Sequence, residues 1–199
     1  MKFYIEHYGF LGCIRLIMEV IFTKIIFRNA KIIRTPFECR GKKLFKIGRG
    51  FTTGRYCRLE AHGSEGTKVI IGERCQINDS VHIAAADSIV IGDDVLIASR
   101  VFITDLNHGS YSGEEHSHPD SICRERMLHT KPVLIESNVW LGEGVVVLPG
   151  VTIGKASIIG ANSVVSRDIP ANSIAVGNPA RVIKRFDFQC GQWVAVDAK

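Results

Sequence analysis

Residues 104–134 read TDLNHGSYSGEEHSHPDSICRERMLHTKPVL and hold four of the chain's seven histidines, His108, His116, His118 and His129. Together with Cys123 these are zinc-ligand types, but no spacing among them matches a tight metal motif, and no metal is called for. His108 stands apart because it comes five residues after Ile103, where a regular apolar pattern breaks off. A histidine held by a scaffold can act as a general base near neutral pH, a role worth roughly 10²–10⁴-fold in rate. By spacing alone, a surface histidine at a loop hinge is an equal reading. Asp105, three residues earlier, could orient the His108 ring as acids do in Ser-His-Asp sites, or simply form a turn.

The pattern that must position these residues has a period of six. In VWLGEGVVVLPGVTIGKASIIGANSVV, residues 139–165, aliphatic side chains recur at Leu141, Val147, Ile153, Ile159 and Val165. A helix would repeat near 3.6 residues and a strand every 2. Six is a three-residue strand plus a three-residue turn, so Val145/Val147 and Val151/Ile153 face one side and form a narrow, dry interior. Gly142, Gly154, Gly160 and Pro149-Gly150 are expected to supply the tight and left-handed turn conformations. The register also appears at Ile71, Ile77 and Ile83, and after a two-residue slip at Ile91, Ile97 and Ile103. Cys75, Val81, Val95 and Val101 each precede one of these by two. Three strands and three corners make a three-sided coil of about eighteen residues, the mark of a parallel β-helix solenoid rather than a sandwich.

The expected class is mainly β, with an N-terminal amphipathic helical segment at 1–35 and the β-helix at 36–180. A loop insertion at about 104–132 interrupts the helix, and a C-terminal cap or tail follows at 181–199. A solenoid needs covered ends. The segment Phe10 to Phe27 contains Arg15, Glu19 and Lys24, which argues against a membrane span, and no signal cleavage motif follows it. It either packs on the body or a partner subunit, or lies in a membrane interface.

At 46% hydrophobic, 23% charged and net charge +5, the composition fits a folded domain without the dense cationic patch of a nucleic-acid binder. Six scattered cysteines with no CxxC pair read as reduced thiols, which implies a cytoplasmic protein.

The stretches IGERCQINDSVHIAA, IGDDVLIASRVFITDLNHG and VWLGEGVVVLPGVTIGKASIIGANSVVSRDIPANSIAVGNPARVIKR resemble the hexapeptide-repeat acyltransferases. Within them the chain is most similar to the O-acetyltransferases of lipopolysaccharide and O-antigen biosynthesis, which YGFLGCIRLIMEVIFTKIIF also resembles. The resemblance implies a left-handed β-helix working as a homotrimer, with acetyl-CoA as donor and a carbohydrate as acceptor. Residue by residue, His108 matches the catalytic histidine, Asn78 an acceptor-contacting asparagine and Trp140 an aromatic beside the reaction centre. Ala161, Ser166, Arg167, Arg181 and Lys184 match coenzyme A contacts; cations there suit phosphate groups. Two positions depart from the family: Ala86 replaces a sugar-binding acid of the galactoside enzymes, and Glu143 a small hydroxyl residue beside the cofactor. The implied mechanism is direct acetyl transfer with His108 as base and a backbone N–H near Gly142 for the oxyanion.

Three other functions remain open on sequence: an antibiotic O-acetyltransferase of the same superfamily, a non-enzymatic scaffold whose loop binds a partner, and a carbonic-anhydrase-like metalloenzyme using His62, His82 and His108. The basic N-terminus, with Lys24, Arg28, Lys31 and Arg34, suits work at the inner face of the cytoplasmic membrane.

Overall fold

The computed structural model describes residues 2–196, with side chains from residue 6 onward; Met1 and the end of the expected tail, 197–199, lie outside the described residues. The chain winds a left-handed parallel β-helix with three flat faces. The first face has six strands: Phe37–Arg40, Cys57–Ala61, His82–Ala85, Phe102–Thr104, Val146–Val147 and Val164–Val165. The second has five: Phe45–Ile47, Val69–Ile71, Ile89–Ile91, Val133–Ile135 and Thr152–Ile153. The third begins with Thr52–Thr53, Gln76–Ile77, Leu96–Ile97, Trp140–Leu141, Ile158–Ile159 and Ser173–Val176. Two antiparallel strands, Arg181–Asp187 and Gln192–Ala195, then extend the third face.

The six-residue period becomes three vertical columns inside the prism. Leu59, Ile83, Ile103, Val147 and Val165 stack along the first face, each in register with the next. Ile71, Ile91, Ile135 and Ile153 stack along the second, and Ile77, Ile97, Leu141 and Ile159 along the third. These side chains are essentially sealed from solvent. Burying each is worth about 1.5–3 kcal/mol. It acts together with the coil-to-coil backbone hydrogen bonds, such as Gln76 N–H to the Val95 carbonyl and Leu96 N–H to the Val139 carbonyl, both at 3.0 Å.

The corners differ from the sequence expectation. Left-handed backbone falls not on Gly142, Gly154 and Gly160 but two residues later, on Gly144 (φ 69°), Ala156 (φ 57°) and Asn162 (φ 58°); Gly150 (φ 82°) does carry it. The earlier glycines serve close approach instead. A Cβ at Gly154 would lie 2.3 Å from the Ala171 nitrogen of the next coil, and one at Gly142 2.7 Å from the Ala161 nitrogen.

An α-helix, Lys2–Ile26, broken at Gly9 (φ 67°, ψ 172°), docks on the first coil. Glu19 fixes it there. Its buried carboxylate accepts from the Arg55 guanidinium at 2.7 Å, the Arg15 Nε at 3.2 Å and the Thr35 backbone N–H at 3.2 Å. Thr23, also buried, accepts from the Ile33 N–H at 2.7 Å. The opposite face stays open: Phe10, Leu11, Ile14, Ile17, Met18, Ile21 and Ile25 are exposed. No described helix is long and apolar enough to cross a membrane.

The close-approach and left-handed roles predict opposite outcomes for two substitutions at one corner. Gly154→Ala should lower stability by about 1–3 kcal/mol, because the neighbouring backbone must move. Ala156→Gly should raise it by roughly 0.5–1 kcal/mol by relieving a left-handed alanine. Thermal unfolding of the two variants checks this; equal effects of one sign would refute the assignment of the corner.

Candidate active site

The interruption after Ile103 is an ordered structure. Leu106–His108 pairs antiparallel with Leu128–Thr130, setting His108 opposite Leu128 and Asn107 opposite His129. The hairpin leaves the edge between the first and second faces, and His108 stands exposed on it. Its ring makes no hydrogen bond among the described residues, so both ring nitrogens are free to meet a substrate.

Asp105 does not orient that ring. It is fully buried, and its two carboxylate oxygens accept from the backbone N–H groups of Ala86 (2.8 Å), Asp87 (2.8 Å) and Ser88 (2.7 Å). Its carbonyl accepts from the Lys131 N–H at 2.9 Å. Asp105 therefore closes the corner one coil below and ties down both ends of the insertion, which is the turn-forming role rather than the catalytic one.

The other expected site residues divide between two edges. Ser166 and Arg167 sit on the same first–second edge as His108, exposed, at the corner after Val164–Val165. Asn78, Gly142, Glu143 and Ala161 lie on the opposite edge, at corners between the third and first faces. Trp140 is 48% exposed on the third face between Leu96 and Ile158, which are its register partners. Arg181 and Lys184 stand on the strand Arg181–Asp187, opposite Val176 and Ile174 and exposed. The structure thus gathers Trp140, Gly142, Glu143 and Ala161 along one edge and holds His108, Ser166 and Arg167 on another. Phe102–Thr104 spans the face between them, about 10 Å of strand.

Hydrogen bonding and ion pairing refine four of these positions. The Gly142 N–H is already given to the Ile159 carbonyl at 2.8 Å, whereas those of Glu143 and Ala161 take no acceptor among the described residues. The Glu143 carboxylate pairs with Arg100 across the corner, which neutralises the charge that departs from the family pattern. Asn78 is oriented by the Gln76 side-chain amide, which donates to its Oδ1 at 3.1 Å.

His82 is committed to other partners. Its Nε2 lies 2.7 Å from Glu60 and its Nδ1 3.3 Å from the Arg58 guanidinium. Burial raises the Glu60 pKa, but the His82 hydrogen bond and the Arg58 charge outweigh it and hold the carboxyl below its usual range. Among the described residues no three His, Cys, Asp or Glu side chains converge as a metal set, so His62, His82 and His108 do not form one. All six cysteines are unpaired; inward-facing Cys57 and Cys75 have their thiol pKa values raised by burial, the former to about 11.

Two features were not singled out from sequence. The anchoring of residues 86–88 by Asp105 has no local signature. Arg126, whose guanidinium gathers the insertion, looked like one more charge in a polar loop.

Comparison with known proteins agrees with this architecture. Residues 132–167 match the family model described as bacterial transferase hexapeptide (six repeats). The chain is 43% identical over 189 residues to WbbJ of Escherichia coli K12, which bears the name of a lipopolysaccharide biosynthesis O-acetyl transferase; the match covers 94% of this chain and 95% of WbbJ. It is 38% identical over 124 residues to the galactoside O-acetyltransferase of the same organism, covering 62% and 57% of the two chains. Among solved structures, a mutant of AntD, an N-acyltransferase from Bacillus cereus in complex with a dTDP-amino sugar and coenzyme A, superposes with a TM-score of 0.70 at 24% identity, over 85% of this chain and 90% of AntD. The hexapeptide-repeat acetyltransferase VCA0836 of Vibrio cholerae, solved with acetyl coenzyme A, does so with a TM-score of 0.55 at 26% identity, over 84% and 75%. The WbbJ match runs through the N-terminal helix, the coils and the insertion alike, and the chain therefore belongs to the hexapeptide-repeat acyltransferases and is an acetyltransferase.

Proposed function

We propose that the protein is an acetyl-CoA-dependent O-acetyltransferase acting on a sugar hydroxyl during synthesis of lipopolysaccharide or a related surface polysaccharide. The observation that carries this reading is His108, exposed at the first hairpin of the insertion with its ring unclaimed, in a chain similar to WbbJ along 94% of its length. The sugar oxygen attacks the thioester carbonyl while His108 accepts the hydroxyl proton. Collapse of the tetrahedral intermediate expels the coenzyme A thiolate, which takes that proton back from the imidazolium. The products are the acetyl ester and the free thiol.

The developing oxyanion needs a donor near the Gly142 corner. The N–H groups of Glu143 and Ala161 are unspent, and one such donor is typically worth about 3–4 kcal/mol. Exposed Arg167, Arg181 and Lys184 supply cations for the donor's phosphates, Ala161 leaves room for the pantetheine arm, and Asn78 and Trp140 face the acceptor. Asn78, Trp140 and Ala161 lie toward the edge of the first face opposite the one that carries His108 and Arg167, so a single chain does not close them on one substrate. A homotrimer does so by setting the His108 edge of one copy against the Trp140 edge of the next. An antibiotic acceptor finds no separate support, and a pure scaffold would not require an unclaimed histidine opposite unspent amides.

The helix Lys2–Ile26 extends the reading to location. Its exposed apolar row, with exposed Lys24, Arg28 and Lys31 beside it, suits an interface with anionic lipid at the cytoplasmic membrane, where a lipid-linked acceptor would reside.

Calorimetric titration should show acetyl-CoA binding to both wild type and His108→Ala, with turnover of acceptor in the variant down by about 10²–10⁴-fold. Retention of more than about a tenth of turnover would remove His108 from the mechanism, and absence of binding to wild type would remove acetyl-CoA. In vesicle sedimentation, Ile17→Asp should abolish binding to anionic liposomes; unchanged binding, or no binding by wild type, rules out the interfacial role of the helix.

A further inference from the structure

The insertion that carries His108 is folded around one side chain. The Arg126 guanidinium makes five hydrogen bonds: Nε to the Ser121 hydroxyl (2.8 Å), Nη1 to the Tyr111 hydroxyl (2.8 Å), and Nη2 to the carbonyls of Ser121 (3.0 Å), Pro119 (3.0 Å) and His118 (3.3 Å). Its charge also lies 5.9 Å from the centre of the Tyr111 ring. Tyr111 passes the contact on, because its hydroxyl donates to the His108 carbonyl oxygen at 2.5 Å.

The direction of these bonds matters. Arg126 donates to the Tyr111 oxygen and so polarises the O–H that grips the His108 backbone; donors in series strengthen one another. Gly109 makes the approach possible. A Cβ there would lie 2.6 Å from the Ser117 hydroxyl, 2.9 Å from the Tyr111 hydroxyl and 3.1 Å from the Arg126 Cδ, and its φ of +105° disfavours any other residue. The glycine of the Asn-His-Gly element is therefore there to admit the tyrosine and the arginine.

We propose that Arg126 and Tyr111 form a clamp that positions His108 through its backbone, and that this is the task of the histidine-rich insertion. The inference rests on His108 being the general base. Asp105 is spent on the 86–88 corner and the His108 ring has no hydrogen-bonded orienter of its own, so its aim depends on where its main chain is held. Holding the carbonyl leaves both ring nitrogens available for taking and returning a proton. Arg126 and Tyr111 are positioning residues and do not touch the reacting atoms. A lysine at 126 could not replace the arginine, since a single ammonium cannot reach Tyr111 and the 118–121 carbonyls together.

Steady-state kinetics on the full-length protein test the clamp. Tyr111→Phe removes one oxygen and keeps the ring. It is expected to lower kcat about 10–10²-fold, with KM for acetyl-CoA within about twofold of wild type and the midpoint of the pH–rate profile unmoved, as misplacement of a base without change of its chemistry requires. Arg126→Lys should lower kcat at least as much, and Glu114→Ala, on the same loop outside the clamp, should match wild type. His108→Ala is measured alongside. Loss of activity in His108→Ala with wild-type kcat in Tyr111→Phe would overturn the clamp and leave the base intact. Activity retained in His108→Ala would instead overturn the base. A shifted pH midpoint in Tyr111→Phe, or a fall in thermal stability large enough to account for the lost kcat, would also overturn the clamp, since either would make the effect electrostatic or structural.

Discussion

Everything in this molecule hangs on the registered stacking of one coil on the next. Strands of two or three residues cannot hold together singly; the vertical contact of Ile on Ile, or Leu on Ile, together with the coil-to-coil backbone hydrogen bonds, makes the ladder cooperative. That contact also forbids slippage, because a one-residue shift would turn each interior side chain outward. A prism with a fixed register presents each corner directly above its predecessor. Residues far apart in sequence, such as Gly142 and Ala161, therefore meet because they are the same corner one coil apart.

The same constraint explains why the proposed base sits on an exception. The regular corners are short and tightly closed, and Gly142 and Gly144 give their N–H groups to carbonyls of adjacent coils. Only where the period breaks, after Ile103, does the chain leave the prism for long enough to carry a histidine on a hairpin of its own. Asp105 then has to repair the scaffold at the point of departure by capping the corner beneath, and Arg126 has to give the excursion an interior it would otherwise lack. On the proposed mechanism neither residue performs the transfer, and both help to set where His108 stands.

Legibility in the sequence followed periodicity. Ile97, Leu141 and Ile159 announced their column because a repeat of six is recorded in residue type, and the helical nature of the N-terminus followed from its composition. The backbone geometry of the corners did not follow: Ala156 and Asn162 take left-handed φ because the coil demands it, whatever their own preference. Asp105 was visible as a candidate but its partners were not, since its three donors lie 17 to 19 residues earlier and one coil away. Arg126 was invisible for the related reason that its acceptors are mostly backbone carbonyls, which no residue type betrays. Glu19 counts as a charge against a membrane span, and no described helix is long and apolar enough to make one. The structure turns Glu19 inward to Arg55 and leaves an outer face that is largely apolar, with Arg15 and Lys24 exposed on it.

In the proposed enzyme, His108 and the Gly142–Ala161 edge form one active site only when two copies meet. Co-expression of His108→Ala with Ala161→Trp, each inactive alone, tests it directly. If the site is shared around a threefold ring, random mixed trimers should recover about one quarter of wild-type activity, since each productive site needs an intact half from either parent. Mixed trimers that form, as judged by native mass, yet remain inactive would place both halves of the site in one chain and contradict the account.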